Sequence, residues 1–188
     1  TDLNNLIPED SVWLLQEAHD INDAGQIVGY GIIDGGPEWH IFLLDPDGDL
    51  YSVTDIGPDG GDYGGGVSIN NSGQIVGTIQ AEFSGHAFLW ENGVITDLGT
   101  LVEGWHSHAF DINESDQIVG LSDAPGGYYA FIWQDESLIQ LDTLVPDDPL
   151  SEGMVIASGI NNAGLIVGTS ITDDYETHAF MLTPDCNG

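Results

Sequence analysis

Short apolar runs of alternating character, each about a strand long and each closed by a turn, fill this chain from Val12 to Leu182. No stretch keeps a helical period of useful length, and no apolar run approaches the roughly 20 residues of a membrane span. One motif organises the pattern. Ile-Asn-x-x-Gly-Gln-Ile-Val-Gly occurs four times with small departures, at residues 21–29, 69–77, 112–120 and 160–168. In each copy an apolar residue precedes a four-residue turn such as Asn22-Asp23-Ala24-Gly25, and a β-branched pair such as Ile27-Val28 follows, which predicts a tight hairpin. Gly at the last turn position supplies the positive φ needed before the chain returns, and Asn at the first bonds its own backbone. The third copy carries Asp116 in place of that Gly. Asp tolerates the left-handed region better than most residues, so the turn is expected to persist with some strain.

Two further strands follow each of the first three hairpins, and one follows the fourth. In the first unit they are the apolar run from Trp39 to Leu44 and the run from Leu50 to Val53, joined by a turn at Asp45-Pro46-Asp47-Gly48-Asp49. The turn Asn residues stand at 22, 70, 113 and 161, so the units repeat at spacings of 48, 43 and 48 residues. Periods of about 40 to 50 residues with four strands per unit are the signature of propeller blades. The expected fold is therefore all-β, a four-bladed β-propeller-like array of four four-stranded repeats within one domain, 1–188. Its parts are a closing strand and connector (1–17) and units at 18–57, 66–101, 109–145 and 157–184, the last lacking its final strand. The segment from Asp2 to Pro8 has relatives downstream, Leu141-Asp142-Thr143-Leu144-Val145-Pro146 among them, so the N-terminus reads as a closing strand displaced to the front of the chain. That strand would complete the last blade either of its own chain or of a neighbouring subunit.

The motif, taken with His-Ala-Phe about fifteen residues later, resembles the HAF repeats of extracellular bacterial proteins. His86-Ala87-Phe88 and His178-Ala179-Phe180 match the tripeptide in full, whereas His40-Ile41-Phe42 and Tyr129-Ala130-Phe131 depart by one residue each. The resemblance covers nearly the whole chain. It implies a propeller-like fold at the cell surface or in the extracellular space, and it carries no catalytic residues. The last residues, Pro184-Asp185-Cys186-Asn187-Gly188, resemble the start of a calcium-loop segment that follows such repeats.

Charge narrows the function classes. With 32 Asp and Glu against no Lys or Arg, the formal charge is −32. Nucleic acid and anionic membranes are excluded as partners, since both need basic side chains to displace counterions. Dissolved cations, calcium above all, would relieve the self-repulsion. No leader pattern opens the chain, so a secreted protein would be present here in its mature form. The single cysteine, Cys186, has no partner for an internal disulfide.

No nucleophile elbow or catalytic Cys or Lys stands out, and the chain is read as not an enzyme with no cofactor required. Asp45, Asp47 and Asp49 offer oxygen ligands around one turn, a weak calcium site, although the distant bidentate Glu of a full EF-hand loop is missing. His106, His108 and Asp111 place two imidazoles on one strand face beside a carboxylate, a weak transition-metal set. Tyr63 and Tyr128 lie in glycine-rich loops where exposed rings can stack on sugars or on a neighbouring subunit. Asn70-Asn71-Ser72 and Asn113-Glu114-Ser115 are glycosylation patterns, with Asn70 and Asn113 as acceptors on hairpin turns. The function expected is structural: self-assembly into a fibre or surface layer, with itself or extracellular glycans as partner. The alternative is a monomeric binding propeller for carbohydrate or calcium-bridged ligands.

Overall fold

The computed structural model describes residues 1–58, 67–80, 84–103, 105–145, 154–171 and 176–184. It is all-β, apart from two short 3-10 turns at Leu3–Asn5 and Leu141–Leu144. Sheet 1 comprises β1 (Trp13–Ile21), β2 (Ile27–Ile33), β3 (Trp39–Asp47) and β4 (Leu50–Pro58), each strand paired antiparallel with the next. Sheet 2 repeats this with β5 (Ser68–Ile69), β6 (Ile75–Gln80), β7 (Gly85–Glu91) and β8 (Val94–Gly99). Sheet 3 holds β9 (Ser107–Ile112), β10 (Ile118–Ala124), β11 (Gly127–Gln134) and β12 (Ser137–Gln140). Sheet 4 has three strands, β13 (Met154–Ile160), β14 (Ile166–Ile171) and β15 (Thr177–Leu182). The first strand of each sheet packs beside the first strand of the next.

The motif hairpins form as the sequence predicts. Gly25, Gly73 and Gly164 have φ of 80°, 78° and 76°, and Asp116 takes the same place with φ 60°. The turn Asn accepts from two backbone amides within its own turn, as when Asn22 Oδ1 receives Ala24 N and Gln26 N. The last Gly of the motif has a different task. Gly29, Gly120 and Gly168 stand opposite Phe42, Phe131 and Phe180 across the hairpin, and a Cβ there would lie 2.7–2.8 Å from the ring and about 2 Å from a carbonyl of the preceding strand. Irregular pairing in those first strands brings the carbonyl in. The Phe of each tripeptide thus packs against a motif glycine, and each of the four Phe rings is buried.

Strand alternation then gives every sheet two apolar faces. In sheet 1 the front carries Val28, Tyr30, Ile41 and Leu43, and these pack with Ile69, Ile75 and Phe88 on the back of sheet 2. The front of sheet 2, with Val76 and Ala87, meets Ile112, Ile118 and Phe131 of sheet 3. Val119, Ala130 and Ile132 of sheet 3 meet Ile160, Ile166 and Phe180 of sheet 4. The core is therefore three repeated layers between four stacked sheets, with a fourth cluster on the back of sheet 1.

In one respect the expectation is corrected. The N-terminal segment is not a strand and does not add the missing edge of sheet 4. Asp2 caps the 3-10 turn through Asn4 N, both polar atoms of the Asn4 side chain bond the backbone of Leu15, and Tyr51 N donates to Leu6 O. Leu3 and Ile7 cover the back of sheet 1 together with Leu15, Phe42 and Leu44. Residues 3–8 correspond to residues 141–146, and Leu141 with Val145 sits against the back of sheet 4 in the same manner. The physical reason lies in the spacing: Leu3, Leu6 and Ile7 fall on one side of a tight turn, not on alternate positions of a strand.

Candidate functional site

A belt of polar side chains stitches the sheets together at the motif turns. Asn22 Nδ2 donates to Asn70 O at 3.1 Å, Asn70 Nδ2 to Asn113 O at 3.2 Å, and Asn113 Nδ2 to Asn161 O at 3.1 Å. A second row runs beside it: Asp23 N donates to Asn71 Oδ1, Asn71 N to Glu114 Oε1, and Glu114 N to Asn162 Oδ1. A third row lies on the innermost strands, where Asp20 accepts from Ile69 N and Asp111 from Ile160 N. Ser68 Oγ lies within 2.9 Å of Asp20 and 3.1 Å of Asp111, and its single proton serves one carboxylate at a time. The motif Gln orients the Asn: Asn22, Asn70 and Asn113 each donate to the Gln four residues on, and that Gln donates to Asp45, Glu91 or Gln134. The fourth copy has Leu165 at the Gln position.

The belt has direction, and its two ends are open among the described residues. Asn161 keeps its turn bonds to Ala163 N and Leu165 N but makes no bond to a further sheet. The apolar faces end at the same places. Val28, Val76 and Val119 are 0% exposed, whereas Val167 in the same position of sheet 4 is 47% exposed. Leu43 and Ile132 are 3% and 5% exposed, against 61% for Met181. At the other end Ile69, Ile112 and Ile160 are 5–8% exposed while Ile21 is 60% exposed, above a cleft of about 300 Å³ lined by Leu3, Ala18, His19 and Ile27. Sheet 4 thus presents a bare front and sheet 1 a partly bare back.

The belt absorbs several residues that the sequence suggested for other work. Asn70 and Asn113 are buried, with both polar atoms of each side chain bonded, so the expected exposed glycan acceptors are corrected: a sugar on either nitrogen would need room in a buried site and would take one of the two hydrogens that bond the motif Gln and the next sheet. Asp111 holds the third row. His106 Nδ1 accepts from Gly85 N at 3.0 Å and His108 Nδ1 lies 2.9 Å from Thr78 Oγ1, so both rings bond toward sheet 2. Asp45 accepts from Gln26, while Asp47 and Asp49 project from the β3–β4 hairpin into solvent. Among the described residues no three His, Cys, Asp or Glu side chains converge as a metal-binding group, so neither metal set is brought together. Tyr128 is exposed at the start of β11; Tyr63 and Cys186 lie outside the described residues.

The His of His-Ala-Phe pairs across the outer edge of its sheet. His40 Nδ1 lies 3.1 Å from Asp55 and His86 Nδ1 2.9 Å from Asp97 on the fourth strand, where each Asp also accepts from the Gly two residues on. Among the described residues the close acid–base contacts all use His, as a chain without Lys or Arg requires. Sequence reasoning missed the lateral role of the Asn. The signal was present in its recurrence in all four copies, including the one where the turn Gly is Asp116.

Fold and belt together define a β-propeller-like stack of antiparallel sheets. Among solved structures, that of TolB from Acinetobacter baumannii is similar at a TM-score of 0.62 and 12% identity over 93% of this chain. The chain spans 42% of the length of that structure, and the likeness shows the fold alone. No family model and no curated protein matches the sequence. Among the described residues no helix is long and apolar enough to cross a membrane.

Proposed function

We propose that this protein is a non-catalytic structural component of the extracellular space that assembles head to tail, the front of sheet 4 receiving the back of sheet 1 of a second copy. The observation that carries this is the exposure of Val167 and Met181, whose counterparts in the other three sheets are covered by a following sheet. The receiving surface is matched to them. The back of sheet 1 already holds its turn at Leu3–Asn5, as the back of sheet 4 holds Leu141–Leu144, and lacks only the preceding sheet. The same docking occurs three times inside the chain, so the surface is complementary to itself by repetition. Extracellular placement is supported by the likeness to HAF repeats and by an acidic surface suited to cation-rich water.

Light scattering with calcium and then with chelator tests the proposal. Particles far larger than the 20.1 kDa chain are expected with calcium, and Met181→Asp should reduce them to single chains while leaving the far-UV signal of the sheets intact. A mass of one chain under both conditions, with the same mass for Met181→Asp, overturns self-assembly and leaves a monomeric binding propeller as the better account.

A further inference from the structure

A separate cleft opens between sheets 3 and 4, away from the stacking faces. His108 and Phe110 of β9, Leu121 and Asp123 of β10, Tyr128 of β11, and Val155 and Ile156 of β13 enclose about 310 Å³. That is the lower end of the range for small-molecule sites. Its walls are mainly apolar. The His108 and Phe110 rings stack with centroids 6.5 Å apart and planes 10° from parallel, and the exposed Tyr128 stands at the rim.

Asp123 brings a carboxylate to this lining. Asp123 Oδ1 is buried and is the single buried side-chain oxygen or nitrogen among the described residues without a hydrogen-bond partner. A carboxylate oxygen removed from water and left unpaired is costly, and an ordered water or a bound donor offsets that cost. The chain has no Lys or Arg with which to supply one. Burial holds the His108 imidazole below its ordinary value of 6.5, against the opposing pull of the nearby Asp123 carboxylate.

We propose that this cleft binds an ammonium group attached to an apolar body, the nitrogen pairing with the Asp123 carboxylate and the hydrocarbon resting on Phe110, Leu121 and Ile156. A cation over Tyr128 or Phe110 gains from the ring quadrupole, and the net charge of −32 draws cations toward every cleft of the molecule. Anions are repelled by the same carboxylate. A polyhydroxylated sugar meets mainly hydrocarbon, with few polar groups for its many hydroxyls. A free organic amine and a lysine side chain both carry the required chemistry. The inference is independent of assembly, since every residue of the cleft lies within one chain.

Calorimetric titration in about 0.5 M sodium chloride, where diffuse attraction to the acidic surface is screened, isolates the cleft. The probes are phenethylammonium, its neutral isostere 2-phenylethanol, and N-acetyl-lysine methylamide. Saturable binding of phenethylammonium is expected, weakened about tenfold or more in Asp123→Asn and similarly for the alcohol on the native chain, in line with loss of a desolvated charge pair. Tyr128→Ala, at an exposed position of the lining, should weaken it several-fold, and Glu136→Gln, outside the lining, should leave it unchanged. Binding of the lysine derivative alongside phenethylammonium assigns a peptide side chain as the source, and its failure assigns a free amine. Equal binding of alcohol and ammonium, no change in Asp123→Asn, or no saturation at all means that Asp123 is satisfied by water, and overturns the proposal.

Discussion

Replacing Asn70 by Ala tests whether the belt holds the sheets together or merely decorates their turns, because Asn161 provides an internal control. Both side chains accept from two backbone amides of their own turn: Ser72 N and Gln74 N for Asn70, Ala163 N and Leu165 N for Asn161. Only Asn70 also donates to the next sheet, at Asn113 O, and to Gln74 Oε1, and it does so while 4% exposed. Loss of the shared turn bonds should cost either variant about 1 to 2 kcal/mol. Asn70→Ala additionally strands a buried carbonyl and a buried amide oxygen, at about 1 kcal/mol or more each. The difference between the variants is thus about 2 to 3 kcal/mol, or a shift of about 1 M in the urea midpoint for an ordinary m-value. Urea unfolding followed by tryptophan fluorescence at fixed calcium measures it. Equal midpoints for Asn70→Ala and Asn161→Ala would refute the belt as a source of stability, because the turn bonds alone would then explain both.

Other expectations follow from single residues. Asp116→Gly should raise the thermal midpoint, with about 1 kcal/mol of left-handed strain relieved against a smaller entropic cost in the unfolded chain. Gly120→Ala should cost about 3 kcal/mol or more, since the added Cβ meets His108 O at 1.9 Å and the Phe131 ring at 2.8 Å; a near-native midpoint in urea would mean that the strand irregularity yields easily. Stability should fall as pH drops below 6.5, because the unfolded chain binds a proton at His108 that the folded chain, its imidazole held lower by burial, does not yet bind; the slope should flatten in His108→Gln.

The sheets were legible in the sequence for a local reason. Alternation in segments such as Trp39 to Leu44 and a turn with Asn at its head and Gly at its foot are contained within ten residues, and the fold obeys both. What the belt does was not legible, because each lateral partner comes from another unit 43 or 48 residues away and a turn already accounts for the Asn. The same blindness made Asn70 look like an exposed acceptor: turn residues are ordinarily solvated, and only the neighbouring sheet buries this one. Residues 3–8 match residues 141–146 in sequence, and there the match is to the tight turn that follows β12 and not to a strand; alternation alone does not separate the two. Asp123 offered no signal at all, its orphaned oxygen being a product of packing between β9, β10 and β13.

The polarity of the stack decides which assembly is possible. A symmetric dimer joining two copies through their bare sheet 4 fronts would cover Val167 and Met181, but it would set two donor ends of the belt against each other and leave Ile21 exposed on both copies. A head-to-tail contact covers both surfaces at once and sets the Asn161 amide toward the Asn22 carbonyl of the next copy, as the Asn22 amide already meets Asn70 O. Such a contact would be heterologous, with no built-in stop: the copies would form a ring if the accumulated rotation closes and a filament if it does not. Each added copy also brings a further −32 charges alongside the last. Apolar burial favours growth while repulsion opposes it, and only the second depends on dissolved ions. Assembly size should therefore rise with divalent cation before any change in the fold is seen.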